Sequence, residues 1–536
     1  MTQAIPLQKF LLVGTSRAPL PAPLSADLLT PELASIAQPA LDAADATPER
    51  RLWLAMGAAD LWTRAGHVPP PAPAAAPQPP SAPEQLAACP VRAESILKLL
   101  LQGGQPAAVL QEWLALAERK PARLPERFLP NMLELATRQP ALRPRVLPLL
   151  GMRGQWLAAL EPGWAWASGS QDADQLQEAW RNGTLEQRTA ALARWRQADP
   201  VAAREALQAA WPAEPPESRA ALLACLATGL EAQDEAFLDA ALDDRRKNIR
   251  QLAQRLLARL PGSDYTQRML ARAAPLLQLE KRLLRGTHLN VALPAERDAA
   301  MIRDGIGDGK YPGLGEKAGW LVDLLSAIAP SHWSTRFGLA PDECIALGAA
   351  TDYQEALLLG WTAGLRLHLE QAATPGLLAW LEAWVRIWLK AEGTVRYQQA
   401  SGIIGACKAL PAPALHALLQ KLVEASHTPW QIADVPLVEL LYQLAGETAA
   451  PWPAGLSQAI ARRLLGALPA LPAQQWSFRT ALPALAAVLD PSAVLAAERE
   501  WPGLGADPHG WQDAVDKFFH LVRFRHEMIH SFQEHA

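Results

Sequence analysis

Three segments of this chain align at a spacing of 31 residues, and that period limits what it can fold into more than any other feature. They are "EQRTAALARW" (186–195), "ESRAALLACL" (217–226) and "KNIRQLAQRLL" (247–257). Arg188, Arg219 and Arg250 share one register, as do Trp195, Leu226 and Leu257, and further on Leu207, Leu238 and Met269. A unit of about 30 residues holds one helical hairpin but cannot enclose its own apolar face, so successive units must stack. The expected architecture is a HEAT-like α-solenoid of stacked helical hairpins. HEAT-type repeats are usually longer, which makes these compact members of the class.

The rest of the sequence agrees with an all-α fold. Apolar residues recur at i, i+3, i+4 and i+7, whereas the period-two alternation of strands is almost absent. The one extended candidate is "THLNVALP" (287–294). Twenty Trp against 9 Phe and 5 Tyr point to broad helix–helix contacts, since an indole fills a large apolar volume. "WLEAWVRIWLK" (380–390) spaces Trp380, Trp384 and Trp388 four apart, which reads as a packed seam between helices. "VPPPAPAAAPQPPSAP" (68–83) cannot continue a helix, because proline lacks the N–H and clashes with the preceding turn; it reads as an extended linker. The expected organisation is an N-terminal helical module (1–67), this linker (68–83), a helical region (84–180) and the repeats (181–286). A segment with the extended stretch, a glycine-rich loop and a helix (287–340) and a C-terminal helical repeat region (341–536) complete it.

Composition narrows the compartment. Cys89, Cys225, Cys344 and Cys407 are far apart and form no CxxC pair, which argues for reduced thiols. The apolar run FLLVG near the N-terminus is too short for a signal peptide, and no run of eighteen apolar residues follows. A cytoplasmic protein without a membrane partner is expected. The net charge of −4 excludes no partner class, but the charge is unevenly placed. Residues 171–242 carry 12 acidic and 6 basic residues, whereas 243–285 carry 11 basic and 4 acidic.

The basic residues cluster where the third repeat begins. Ile249, Leu252, Ala253, Leu256, Leu257 and Leu260 form one apolar stripe, so the charged residues between them face solvent. Arg245, Arg246, Lys247, Arg250 and Arg255 are the candidate partner-binding patch, suited to an acidic protein surface. Nucleic acid is the weaker alternative: Tyr265 is the one aromatic nearby for stacking, and no zinc-finger, RNP or helix-turn-helix pattern accompanies the patch.

Two other stretches invite chemistry. "RHEMIH" (525–530) contains His526 and His530 around Glu527, the spacing that sets two imidazoles on one helical face for zinc. A catalytic zinc needs a third protein ligand, and only "SFQEHA" follows. A zinc metallohydrolase is therefore the lesser alternative, and His526 reads as a core or interface residue on a face with Val515, Phe518, Val522 and Ile529. "GIGDGKYPGLGEKAGW" (305–320) resembles a phosphate loop only superficially, since Tyr311 follows Gly309-Lys310 where Ser or Thr is required. It reads as an ordered loop with positive-φ glycines ahead of a helix starting near Glu316. No catalytic set and no cofactor are expected.

Five stretches taken together resemble a bacterial family known as a domain of unknown function: "LLVGTSR" (11–17), "GMRGQWLAALEPGWAW" (151–166), "FLDAALDDRRKNIRQLAQRLLARLPGS" (237–263), "GLGEKAGWLVDLLSAIAPSHW" (313–333) and "LLLGWTAGL" (357–365). The resemblance implies a HEAT-like helical-repeat protein encoded beside a MoxR-type AAA ATPase, a von Willebrand factor A-domain protein and a SWIM zinc-finger protein. It further implies a non-enzymatic scaffold or adaptor in such a system; a protein partner is expected, with the AAA ATPase and the von Willebrand A-domain protein as its candidates.

Overall fold

The computed structural model describes residues 8–19, 32–33, 35, 38–39, 42, 45–65, 81–168, 173–282, 286–446, 451–472, 474–506 and 510–533. Helices dominate throughout, and the chain divides into two compact units, Met1–Pro80 and Ser81–Ala536. In the first, Leu52, Ala55 and Ala59 of helix Pro48–Ala65 and Phe10 of helix Gln8–Val13 are buried. Residues 68–80 of the expected linker lie outside the described residues.

In the second unit each 31-residue period is one hairpin. Leu185–Ala198 packs on Pro200–Ala210 after it and Lys247–Arg259 on Asp264–Ala273, while Pro216–Ala224 and the following Glu235–Ala241 both pack on Lys247–Arg259. The starts are written locally. Thr184 and Gln187 close a reciprocal capping box, and Asp199 and Ser263 accept the backbone N–H of Ala202 and Thr266. Leu207, Leu238 and Met269, in one sequence register, are all buried.

The arginines of the period clip one hairpin to the next. Arg188 lies 4.7 Å over the ring of Trp180 and donates to Glu214 at 3.0 Å. Arg219 lies 5.3 Å over Trp211 and pairs with Asp244 at 3.1 Å. No acid occupies the corresponding place after Arg250, where Pro275 and Leu276 stand. Its guanidinium turns back to the carbonyls of Asp244 and Arg245 at 3.0 and 3.2 Å, and the row of clips ends.

It ends at a β-hairpin. Leu277–Arg282 runs antiparallel to Gly286–Val291, with Leu277 opposite Val291. The expected extended stretch is thus a second strand, and the first, "LQLEKR", follows so closely on helix Asp264–Ala273 that its leucines read as a continuation of that helix.

Beyond the hairpin, helices Glu316–Ser326 and Gln354–Leu369 pack closely against each other. A Cβ at Gly360 would stand 2.7 Å from Leu325 Cβ, and one at Gly364 would stand 2.5 Å from the Ile328 carbonyl oxygen. Only glycine permits this approach, which explains the spacing in "GWTAG". Trp380, Trp384 and Trp388 are buried in the expected seam; Trp380 meets Trp361 edge-on at 5.6 Å and donates to Ser334 Oγ at 2.9 Å.

The last helix of this unit, Gln512–Ser531, packs on Trp476–Val488 and also on the unit's first helices, Val91–Leu101 and Ala107–Arg119. Arg525 is fully buried there and holds Glu112 through two hydrogen bonds of 2.6 and 2.9 Å. It also donates to the carbonyls of Ala486 and Leu489 at 2.7 and 2.6 Å, capping the end of the 476–488 helix. Trp113 and Phe532 meet edge-on at 5.3 Å. Sequence periodicity centred the buried face near His526; the structure centres it on Arg525, whose charge is tolerated because its partner comes from the opposite end of the array.

Candidate functional site

The sequence stretch 243–264 sits at a convergence. Helix Lys247–Arg259 packs against helix Gln354–Leu369, and the glycine-rich loop 304–315 lies across one end of the pair. Three of the five stretches that carry the family resemblance, 237–263, 313–333 and 357–365, thereby meet around one cleft of about 460 Å³.

The loop is held by Asp323. Its carboxylate accepts the Gly307 N–H at 2.7 Å and the Tyr311 hydroxyl at 2.6 Å. Burial pushes the Asp323 pKa up against these bonds, and burial likewise raises Tyr311. Gly305, Gly307 and Gly313 adopt φ values of +88°, +89° and +87°, and the helix after them starts at Glu316, as expected. A side chain at Gly305 would collide with the amide of Gln254. Beneath the loop, buried Asp304 receives Arg268 at 2.9 Å and Arg272 at 2.7 Å, and its carbonyl accepts the Tyr265 hydroxyl at 3.0 Å. Arg303 and Arg268 both bind Asp239 at 2.9 Å, and Arg303 binds Asp243 at 2.8 Å. This network fixes the loop to the third repeat.

The five residues of the candidate patch take four different environments. Arg250 is committed to backbone carbonyls, as described above. Arg246 pairs with Glu217 at 3.1 Å and Lys247 with Asp308 at 3.5 Å, all on the surface. Arg245 is exposed and its side chain has no hydrogen-bond or ion-pair partner among the described residues. Arg255 stands apart from these, two turns along the helix, where it makes a bidentate contact of 2.8 and 2.9 Å with Glu370.

Around Arg255 are groups that the linear sequence could not associate with it. Arg259 donates to Gln371 at 3.3 Å, and burial depresses its pKa, with the Arg255 charge adding to the effect. Arg366, from the other helix, lines the cleft, is exposed and has no polar partner among the described residues. The Gln254 side-chain nitrogen is buried without a hydrogen bond. Arg259 follows Arg255 by one helical turn and was open to discovery by spacing; Arg366 and Glu370 lie more than 100 residues away and carry no such signal.

The HExxH histidines are adjacent, with ring centroids 4.4 Å apart. His530 Nδ1 contacts Gln533 at 2.8 Å, His526 is partly buried, and burial lowers its pKa. Among the described residues no group of three or more His, Cys, Asp or Glu gathers for a metal, and Glu534 and His535 lie outside them. The four cysteines are free thiols; burial pushes Cys89 and Cys407 up to about 12. Among the described residues no helix is long and apolar enough to cross a membrane.

Comparison with known proteins matches the chain to the model of a family of unknown function (DUF5691) over residues 6–532. The chain belongs to DUF5691. No curated protein and no solved structure matches it. DUF5691 therefore covers both compact units and every stretch that surrounds the cleft.

Proposed function

We propose that this DUF5691 chain is a non-enzymatic, HEAT-like scaffold or adaptor that docks an acidic surface of a partner protein at the start of the 247–259 helix. One observation carries the reading. Arg245, Arg246 and Lys247 crowd the N-terminal end of that helix, and no acidic residue occupies its first turn. The N-terminal end of a helix carries partial positive charge, so three cations there oppose the dipole in the free chain, and an acidic partner relieves the opposition. The surface pairs to Glu217 and Asp308 contribute at most ~1 kcal/mol each, so incoming carboxylates can replace them at little cost. The resemblance described above sets such chains beside a MoxR-type system, and the partner we propose is its AAA ATPase or its von Willebrand A-domain protein, in the cytoplasm.

The test is capture from lysate of the cognate cell with untagged wild type and with the R245E/R246E/K247E variant. Loss of an ATPase or A-domain protein from the variant is the expected outcome, and capture should weaken with salt. Identical capture by both proteins would sink the reading.

A further inference from the structure

We propose that the first unit joins two copies of this chain, the outer face of helix Pro48–Ala65 packing antiparallel on the same face of a second copy. That helix has two apolar faces, and the unit covers one of them. Leu52, Ala55 and Ala59 are buried, whereas Trp53 is 64% exposed and Leu61 65%, with Gly57 between them and Leu54 and Trp62 exposed as well. Positions 53, 57 and 61 are four apart and so form one line along the helix. A helix with water on one side keeps that side polar; one that is apolar nearly all round is covered on both.

The area is that of an interface. At their exposures Trp53 and Trp62 together leave about 250 Å² in water, the worth of one whole indole. Leu54 and Leu61 add to it, as do Val13 and Leu12, the latter 88% exposed. Those two end helix Gln8–Val13 just ahead of Thr15, whose hydroxyl donates to Glu49 in the first turn of the longer helix. The patch then comes to roughly 600–700 Å² per copy, at or above the ~300–600 Å² that the largest patch of a monomer reaches and near the ~800 Å² that each partner of a stable complex buries.

The order of the side chains fits the helix to itself. An antiparallel two-fold centred between Trp53 and Gly57 stands each Trp53 over the second copy's Gly57. A Cβ there meets nothing within 4 Å, so an indole finds room. Counted from the same centre, Arg50 comes opposite the second copy's Asp60, and symmetry makes this pairing twice; both residues are exposed. Leu61 comes level with the second copy's Glu49, the end at which Leu12 and Val13 stand. The bulky side chain meets the missing one, and the cation meets the acid, only when this helix lies on its own reverse. A parallel pair sets Trp53 on Trp53 and Arg50 on Arg50 and loses both matches. Such a dimer carries two second units, and its formation is independent of what they dock.

The test is sedimentation equilibrium of the full chain over a dilution series from micromolar concentration upward, at low and at high salt. A species of twice 58.0 kDa is expected, dissociating on dilution and persisting in high salt because most of the contact is apolar. Gly57→Gln should weaken the dimer about a hundredfold or more, since the new side chain fills the place of the indole. Nothing in the single copy opposes that side chain, so its circular dichroism spectrum should match wild type. Trp53→Ala should weaken the dimer to a similar extent. Arg50→Asp and Asp60→Arg should each weaken it, and the two together should restore it, which neither a parallel pair nor a different occupant of the face would do. Wild type that stays at 58.0 kDa throughout overturns the proposal, whatever else covers the face. So does a dimer unmoved by Gly57→Gln, or one that the exchange of charges fails to restore.

Discussion

Replacing Glu112 by Ala should be among the most damaging single changes available in the second unit. It leaves the Arg525 guanidinium fully buried with two carbonyl acceptors, those of Ala486 and Leu489, and no counter-charge. Removing one partner of a buried ion pair costs about 3–5 kcal/mol. In an array of this size the urea dependence is on the order of 3 kcal/mol per molar or steeper, so the midpoint should fall by about 1 M. The companion variant separates the pair from the packing. In the double substitution Glu112→Ala with Arg525→Met the charges leave together, and what remains is two buried carbonyls without donors, about 1–3 kcal/mol each at most. The double variant should therefore be no worse than either single one, with a coupling energy of about 2 kcal/mol or more between the sites. Urea unfolding of wild type, both single variants and the double variant, followed by far-ultraviolet circular dichroism, measures all four corners. A midpoint unmoved by Glu112→Ala, or a double variant whose loss equals the sum of the singles, refutes the reasoning.

Two further outcomes follow from local geometry. Gly364→Ala would drive a Cβ into the Ile328 carbonyl at 2.5 Å, so it should destabilise by about 1–3 kcal/mol in thermal or urea unfolding, whereas alanine at Gly455, where nothing stands within 4 Å, should not. In acid, the Arg303 hydrogen bond holds Asp243 below its usual pKa; at Asp239 burial opposes the same bond but is outweighed by Arg303 and Arg268. Both folded values are depressed, so the stabilisation is full above the unfolded pKa of about 3.9 and is lost as pH falls through the folded values. Arg303→Ala should lower stability at neutral pH by about 1 kcal/mol or less, given the exposure of these pairs, and should flatten the loss between about pH 4 and pH 2; an acid limb parallel to wild type would contradict this.

What the sequence made legible is what repeats locally. The 31-residue register of Arg188, Arg219 and Arg250 located three hairpins, because a unit that cannot bury its own face must advertise the same face again. The tryptophan seam and the glycine loop before Glu316 were equally open to reading, since helical spacing and positive φ are properties of neighbours in the chain. The cleft was not. Arg255 meets Glu370, and Arg525 meets Glu112, across more than 100 and more than 400 residues, and an isolated charge in the sequence does not say which distant charge it faces. The strand Leu277–Arg282 was hidden for a related reason: its partner strand, not its own propensity, decides that it is extended.

The contact between the last helix and the first helices of the second unit alters how such an array can come apart. An open solenoid ends in two repeats that need polar caps, and it can lose structure from either tip inward. Here each terminal helix serves as the lid of the other, so there is no tip at which melting can start. Hydrogen exchange should then report one cooperative block instead of a gradient of protection decaying toward both ends. The covalent order of the hairpins also becomes partly arbitrary. A second unit joined across the contact and cut at an exposed loop elsewhere would bury the same interfaces in the same order around the array.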